Sequence, residues 1–161
     1  MKNDLEKQTR ALCKSFLYAF RGIRFCMKNE RNMRIHIAAA ILVTAFSLVY
    51  RLEPTEYAIL FLAMGAVISF EAVNTALEAL VNLASPAYHN LARIAKDVAA
   101  GAVFVTALAT VIVGICLFGN IPHLWETVLH IASTPLLAAL FGGMIAGGIW
   151  FIFYGNKLFK D

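Results

Sequence analysis

Long apolar segments separated by short charged stretches make up most of the chain. The apolar segments occupy positions 35–50, 57–83, 97–118 and 128–154. A helix needs about 20 such residues to cross a bilayer, so the pattern predicts four transmembrane helices. The first segment is short unless its helix begins earlier. Pro54 is expected in the first turn of the second helix.

The stretch before the first span follows a different pattern. Residues 5 to about 31 combine an apolar stripe with a basic stripe, which is typical of an amphipathic helix lying on a membrane surface. The simplest interpretation is an anchor on anionic lipid, made by Arg10, Lys14, Arg21, Arg24, Lys28 and Arg31. Glu30 is the only acid between Lys7 and Arg51, so it is either an ion-pair partner or a placed ligand.

Composition and charge agree with a membrane protein. Of the 161 residues, 60% are hydrophobic, and the mean hydropathy is +0.71. Nine of the 14 Lys and Arg residues lie within positions 1–34, and such an excess beside a first span marks the cytoplasmic side. The later connections alternate between acidic and basic, which predicts that both termini are cytoplasmic. We expect no signal peptide, no nucleic acid partner, and three reduced cysteines that pack among other residues.

The second span carries four polar residues inside its apolar stretch: Glu71, Asn74, Glu78 and Asn82. At about 3.6 residues per turn, they share one face of the helix. A carboxylate at membrane depth costs at least about 2.5 kcal/mol, so two on one stripe are expected to meet partners, a metal ion or water rather than lipid. The stripe is therefore the candidate active site. The alternative is that these residues only hold helices together, as polar side chains do in membranes.

The predicted topology brings further charged residues to the level of this stripe. Glu30, Glu78, Lys96 and Asp97 are expected near one another, with Glu71 about 10 Å deeper than Glu78. Two carboxylates with phosphate oxygens and water suit Mg²⁺, and a lysine can hold a phosphate. The deeper carboxylate is then free to accept a proton from a hydroxyl group presented from the bilayer. The chain has no Walker-type loop and no protein-kinase catalytic loop.

Several motifs around this stripe resemble those of a known family. The octapeptide Glu-Ala-Val-Asn-Thr-Ala-Leu-Glu at 71–78, with Tyr-His at 88–89 and Ala-Lys-Asp at 95–97, resembles the signature of the small integral-membrane bacterial diacylglycerol kinases. Asn-Glu-Arg-Asn at 29–32 resembles the upstream motif of that family. The similarity covers about residues 10–118. His36, where a further glutamate is the alternative, looks more like the Gram-positive branch, whose preferred lipid is undecaprenol.

The resemblance implies an enzyme that phosphorylates a membrane lipid alcohol with ATP and Mg²⁺. It also implies a homotrimer with active sites between subunits, in the inner (plasma) membrane of a bacterium. Glu71 is then expected to be the general base, and Glu30 and Glu78 the metal ligands. Other matched positions are expected near the nucleotide: Tyr18, Asn74, Tyr88, His89, Lys96 and Asp97. Arg24 and His36 match positions of lipid or surface-helix contacts.

The chain departs from the family pattern in three places. Asn82 stands where the family usually has aspartate, and Ala11 where it has arginine, with Arg10 beside it. The fourth span lies beyond the usual three. We therefore expect an all-α membrane protein with a surface helix in residues 1–34, a three-span kinase core in 35–118, and an additional span with a basic tail in 119–161.

Three functions fit these residues. The first is a lipid kinase acting on undecaprenol, with diacylglycerol as the alternative substrate. The second is a small cation-coupled transporter that uses Glu71 and Glu78 as its binding acids and needs no ATP. The third is a non-catalytic relative of the kinases, which uses the fourth span to assemble with another membrane protein.

Overall fold

The computed structural model describes residues 2–84 and 89–159, and nearly all of these residues are helical. The six α-helices are α1 (Lys2–Asn29), α2 (Arg31–Tyr50), α3 (Pro54–Ala84), α4 (Asn90–Leu117), α5 (Ile121–Ser133) and α6 (Pro135–Tyr154), followed by a 3₁₀ segment, Gly155–Phe159. Four helical segments, α2, α3, α4 and Pro135–Phe159, are long and apolar enough to cross a membrane. The prediction of an all-α membrane protein with four spans is confirmed.

Two helices begin earlier than the hydrophobic pattern indicates. Helix α1 ends at Asn29 because Glu30 is extended, with φ −104° and ψ 121°, and α2 resumes directly at Arg31. The first span is therefore long enough to cross a bilayer. Helix α4 begins at Asn90 because the Nδ1 atom of His89 accepts a hydrogen bond of 3.2 Å from the Leu91 amide. Such a cap satisfies an amide that the first turn leaves without a partner.

The prediction of one continuous helix over 128–154 is wrong. The chain instead forms α5 and α6, separated at Thr134, which is extended with φ −97° and ψ 106°. The cause is Pro135, which lacks an amide proton and disfavours helical backbone in the residue before it. Helix α6 still has 20 residues, so the fourth span is retained.

The helices pack as an antiparallel series. Helix α3 packs along α4, and α2 lies between α3 and α6. Helix α5 contacts α2 and α6 at the end of the bundle where α2 finishes. An aromatic cluster closes this end: the Tyr50 and Phe118 rings meet edge to face at 5.0 Å, and His123 Nε2 lies 2.9 Å from the Tyr50 carbonyl oxygen. We call this the Tyr50 end.

The opposite end of the bundle holds the break between α1 and α2, and we call it the Glu30 end. Met33 is fully buried there, and Cys26 and Arg34 are each only 6% exposed. The three cysteines are free, and Cys26 packs inside as predicted, whereas Cys13 and Cys116 are exposed. Many large apolar side chains on the outer faces of the helices are exposed, as lipid contact requires.

Candidate active site

Helix α3 directs the acidic stripe toward the neighbouring helices. Glu71 is 1% exposed and Asn74 is 7% exposed, although both lie within an apolar span. Glu78 is half-buried and Asn82 is exposed, since the stripe runs out toward the Glu30 end as α3 finishes. The spacing of about 3.6 residues per turn thus produces a stripe that is buried in its middle and accessible at its end.

The buried part of the stripe lacks hydrogen-bond partners. Both carboxylate oxygens of Glu71 and the Oδ1 atom of Asn74 are buried without a partner among the described residues. The Thr75 hydroxyl donates to the main-chain oxygen of Glu71 at 3.0 Å and so leaves the carboxylate unpaired. An unsatisfied buried polar group costs about 1–3 kcal/mol. These atoms are therefore arranged to meet something that the chain itself does not provide.

The unpaired atoms face a cavity of about 250 Å³ between α2, α3 and α4. Its lining is Asn32, Ile35, His36, Glu71, Asn74, Ala100, Val103, Phe104 and Ala107. A second cavity of about 330 Å³ adjoins it, since His36 and Ala107 line both, and continues past Val67 and Leu60 to Phe118. The second cavity is almost wholly apolar. Glu71 therefore lies where a polar pocket meets an apolar one.

Negative charge accumulates around the first cavity. Glu71 lies within electrostatic reach of both Glu30 and Glu78. Burial raises the pKa of the Glu30 carboxyl above its ordinary value, the charge of Glu78 raises it further, and Arg34 opposes the rise. The site therefore favours a bound cation.

These oxygen donors fit Mg²⁺ together with a phosphate ligand. In the described part of the chain, no group of three or more His, Cys, Asp or Glu side chains could hold a metal ion by itself. Mg²⁺ does not need such a group, because it keeps several waters and binds through one or two carboxylates plus substrate phosphates. Glu30 and Glu78 are both partly exposed, unlike Glu71.

Lys96 connects the start of α4 to the end of α3. Its ammonium nitrogen donates a hydrogen bond of 2.6 Å to the Oδ1 atom of Asn82. Asn82 is the position where the sequence departs from the family pattern. A neutral amide holds the lysine without cancelling its charge, so the ammonium group keeps its attraction for a phosphate.

Other predicted site residues lie farther out on α4 or outside the described structure. Asp97 accepts from Arg93 at 3.3 Å, and both side chains are more than half exposed, at 65% and 55%. His89 caps α4 with its ring. Tyr88 lies outside the described residues.

Of the remaining predicted site residues, Tyr18 and Arg24 lie on α1 and His36 lies on α2. Tyr18 is 60% exposed, with the Arg21 guanidinium 6.0 Å from its ring centroid. Arg24 lies over the Phe159 ring at 6.0 Å, so it faces the C-terminal segment. His36 lines both cavities, consistent with its expected place near the lipid.

Asn32 and Arg34 are two residues of the site that the sequence did not single out individually. Asn32 lines the cavity beside Glu71. Arg34 is buried and opposes the rise in the pKa of Glu30. Arg34 follows Glu30 by four residues, which places a cation on the same helical face as an acid. That spacing was the available signal, but it was hidden within a long basic segment.

The fold and the site together define a multi-pass membrane protein with a buried acidic site of the kind found in enzymes. Residues 17–118 match the family described as prokaryotic diacylglycerol kinase. The chain belongs to this family, and it is a lipid kinase.

Curated relatives agree with this assignment. The undecaprenol kinase of Bacillus subtilis is 40% identical over 115 residues, which cover 71% of this chain and 94% of that protein. A diacylglycerol kinase of Synechocystis is 44% identical over 104 residues, covering 64% of this chain and 59% of that protein. The diacylglycerol kinase of Escherichia coli is 28% identical over 112 residues, covering 70% and 91%. No solved structure matches the chain.

Proposed function

We propose that this lipid kinase transfers the γ-phosphate of ATP to the hydroxyl group of undecaprenol. The observation that carries the proposal is the position of Glu71. Its carboxylate oxygens have no partner within the described residues, and its cavity adjoins an apolar cavity of about 330 Å³. A lipid alcohol matches this pair of cavities, because it has one polar hydroxyl group on a long apolar hydrocarbon tail.

Glu71 is the proposed general base. The lipid hydroxyl oxygen attacks the γ-phosphorus in line, its proton passes to the Glu71 carboxylate, and ADP leaves. A carboxylate that already has hydrogen-bond donors would be a weaker acceptor, so the unpaired state of Glu71 supports this role. Asn74, whose amide donates to Glu78 at 3.4 Å, keeps the neighbouring acid turned along the helix.

Glu30 and Glu78 are the proposed ligands of Mg²⁺. When bound, Mg²⁺ supplies positive charge that neutralises the phosphate groups. The two carboxylates lie close enough for the charge of Glu78 to raise the pKa of Glu30.

The nucleotide site is proposed around the open end of α3 and the start of α4. Lys96 gives a phosphate a point charge. Tyr18, Tyr88, His89 and Asp97 complete the proposed site on the strength of their motifs. The pair of Asp97 with Arg93 is exposed and therefore weak enough to open when a nucleotide binds.

The choice of undecaprenol is supported by the Bacillus subtilis relative, because the match covers 94% of that protein. Diacylglycerol is the second candidate, because the Synechocystis relative carries that name at 44% identity. Both lipids present a primary hydroxyl group at the membrane surface. Arg24 and His36 are the residues proposed to lie nearest the lipid.

The proposal extends to assembly and orientation. We infer a homotrimer with active sites between subunits, in a bacterial inner membrane, with both termini in the cytoplasm. The basic residues of α1 at the Glu30 end support this orientation. Crosslinking of the purified protein in detergent should give species up to the trimer, and a ladder ending at the dimer would contradict the assembly.

The decisive experiment measures transfer of labelled γ-phosphate by the detergent-purified protein. Undecaprenol and diacylglycerol are offered side by side, with and without Mg²⁺. Faster labelling of undecaprenol, dependent on Mg²⁺, is the expected result. Faster labelling of diacylglycerol would replace the substrate but keep the mechanism. Labelling of neither lipid, in a preparation that binds ATP, would contradict the proposed function.

A further inference from the structure

Arg34 joins the last turns of two helices that are far apart in sequence. Its Nε atom donates to the Ile152 carbonyl oxygen at 3.0 Å. Its Nη1 atom donates to the carbonyl oxygens of Met27 and Lys28 at 2.8 and 3.2 Å. The last carbonyls of a helix lack partners within the helix and carry its negative dipole end. A buried guanidinium group therefore bridges the ends of α1 and α6.

A glycine, Gly155, directly follows α6 and lies against the Arg34 side chain. A Cβ atom on Gly155 would lie 2.9 Å from Cδ of Arg34 and 2.7 Å from Cδ2 of Phe151. Real Cβ atoms essentially never approach other atoms so closely. A larger residue at this position would therefore have to displace the Phe151 ring or the Arg34 side chain. The 3₁₀ segment that follows packs along α1.

The bridge fixes the backbone on both sides of Glu30. Lys28 lies two residues before Glu30 and Arg34 four residues after it. The Glu30 amide donates to the Cys26 carbonyl oxygen at 2.8 Å, which continues the α1 ladder to the break. Cys26 itself is buried. Its thiol pKa is raised, mainly by burial, while the neighbouring Thr75 side chain of α3 opposes the rise. The end of α1 is thus seated on α3 beside the acidic stripe.

We propose that Arg34 is a positioning residue for Glu30. Helix α6 contributes to this positioning because its Ile152 carbonyl oxygen accepts a hydrogen bond from Arg34. The bridge from α6 through Arg34 to α1 holds the Glu30 carboxylate opposite Glu78. The family match ends at residue 118, so the additional span supplies support that lies outside the matched kinase core. This inference rests on the proposed role of Glu30 as a metal ligand.

The test substitutes Gly155→Ala, which keeps the Arg34 guanidinium group but must displace the Arg34 or Phe151 side chain that faces position 155. The matched control is Gly147→Ala within α6, where an added Cβ meets nothing within 4 Å. Arg34→Gln and Arg34→Lys complete the series. A lysine keeps the charge but cannot span three carbonyls on two helices, because its ammonium group is a single point of attachment.

Two measurements are made on each variant. The first is the Mg²⁺ concentration that gives half-maximal phosphate transfer, with kcat recorded at saturating Mg²⁺. The second is the rate at which a water-soluble maleimide labels Cys26, in a background with Cys13→Ser and Cys116→Ser, both of which replace exposed residues. The labelling rate reports the seating of α1 and does not depend on activity.

Cys26 should be labelled several-fold faster than in the parent protein in Gly155→Ala, Arg34→Gln and Arg34→Lys. These variants should also require about tenfold more Mg²⁺, the usual effect of losing a residue that supports a metal ligand. Their kcat at saturating Mg²⁺ should change much less, and Gly147→Ala should match the parent. Parental labelling in Gly155→Ala and Arg34→Gln would overturn the proposal. So would recovery of both readouts by Arg34→Lys, which would show that charge alone is needed.

Failure of the proposed function is separable from failure of this inference. Glu30→Gln should itself raise the Mg²⁺ requirement. If that variant has the parental Mg²⁺ requirement, Glu30 is not a metal ligand, and the proposed role of Arg34 in positioning it is also wrong. If Glu30→Gln behaves as expected but Gly155→Ala does not, the bridge alone is wrong.

Discussion

Replacing Glu71 with glutamine should separate catalysis from stability. The substitution keeps the size and shape of a side chain that is 1% exposed, but it removes the group able to accept a proton. We expect phosphate transfer to fall by a factor of about 10² to 10⁴, the usual contribution of a general base. ATP binding should change little, because the acidic oxygens of Glu71 are assigned to the lipid hydroxyl.

The same substitution should not weaken the fold. In the parent protein two buried carboxylate oxygens have no hydrogen-bond partner within the described residues, and one unsatisfied group costs about 1–3 kcal/mol. Glutamine leaves an oxygen and an NH₂ group in the same place, so any gain comes from removing the acidic group and should be at most about 1 kcal/mol. For a chain of this size that corresponds to a rise of about 2–4 °C in Tm.

The assay pairs initial rates of phosphate transfer with thermal unfolding in the same detergent. The matched control is Glu53→Gln, the same chemical change at an exposed acid on the Tyr50 end of the bundle. This control should keep both rate and Tm. Retention of more than about a tenth of the parental rate by Glu71→Gln would refute the general-base role. Loss of activity together with a lower Tm would show that Glu71 is needed for structure instead.

Three further predictions follow from the acidic cluster and Lys96. Glu78→Gln should raise the Mg²⁺ concentration needed for half-maximal rate by about tenfold, while its remaining carbonyl oxygen can still accept from Asn74. An unchanged Mg²⁺ titration would exclude Glu78 as a ligand. Asn82→Asp should place a carboxylate beside the Lys96 ammonium group, which in the parent protein lies 2.6 Å from the Asn82 amide oxygen. The new ion pair should weaken ATP binding in a nucleotide titration. Tighter binding would show that the charge of Lys96 is not used to bind phosphate. Because burial raises the pKa of Glu30, protonation on acidification should stabilise the fold while the Mg²⁺-dependent rate falls. Chemical unfolding at several pH values should show this stabilisation in the parent protein and lose that component in Glu30→Gln.

The pattern of apolar segments predicted the spans because lipid imposes a strict minimum length on them. It did not predict where helices begin or end near the interface. Helix α4 starts at Asn90 through a cap made by a histidine side chain, which hydropathy does not record. Pro135 was a sequence signal for the break at Thr134. A prediction based on hydropathy missed it because the residues on both sides are apolar.

The polar stripe could be predicted for a related reason. Acids are costly inside a bilayer, so Glu71 and Glu78 had to face the protein, and the helical repeat put them on one face. What the sequence could not supply was the pairing between helices. The contacts of Lys96 with Asn82 and of Arg34 with Ile152 join residues whose separation along the chain carries no periodic signal.

The additional helices hold α2 at both of its ends. His123 of α5 contacts the Tyr50 carbonyl oxygen at the last turn of α2, and Ile152 of α6 accepts from Arg34 at the first turn. Helix α2 forms one wall of both cavities beside Glu71 and His36. A helix fixed at both ends cannot shift along its axis without breaking one of these contacts. The extension is thus connected to the site through the rigidity of α2 as well as through Glu30, although none of its described side chains lines either cavity.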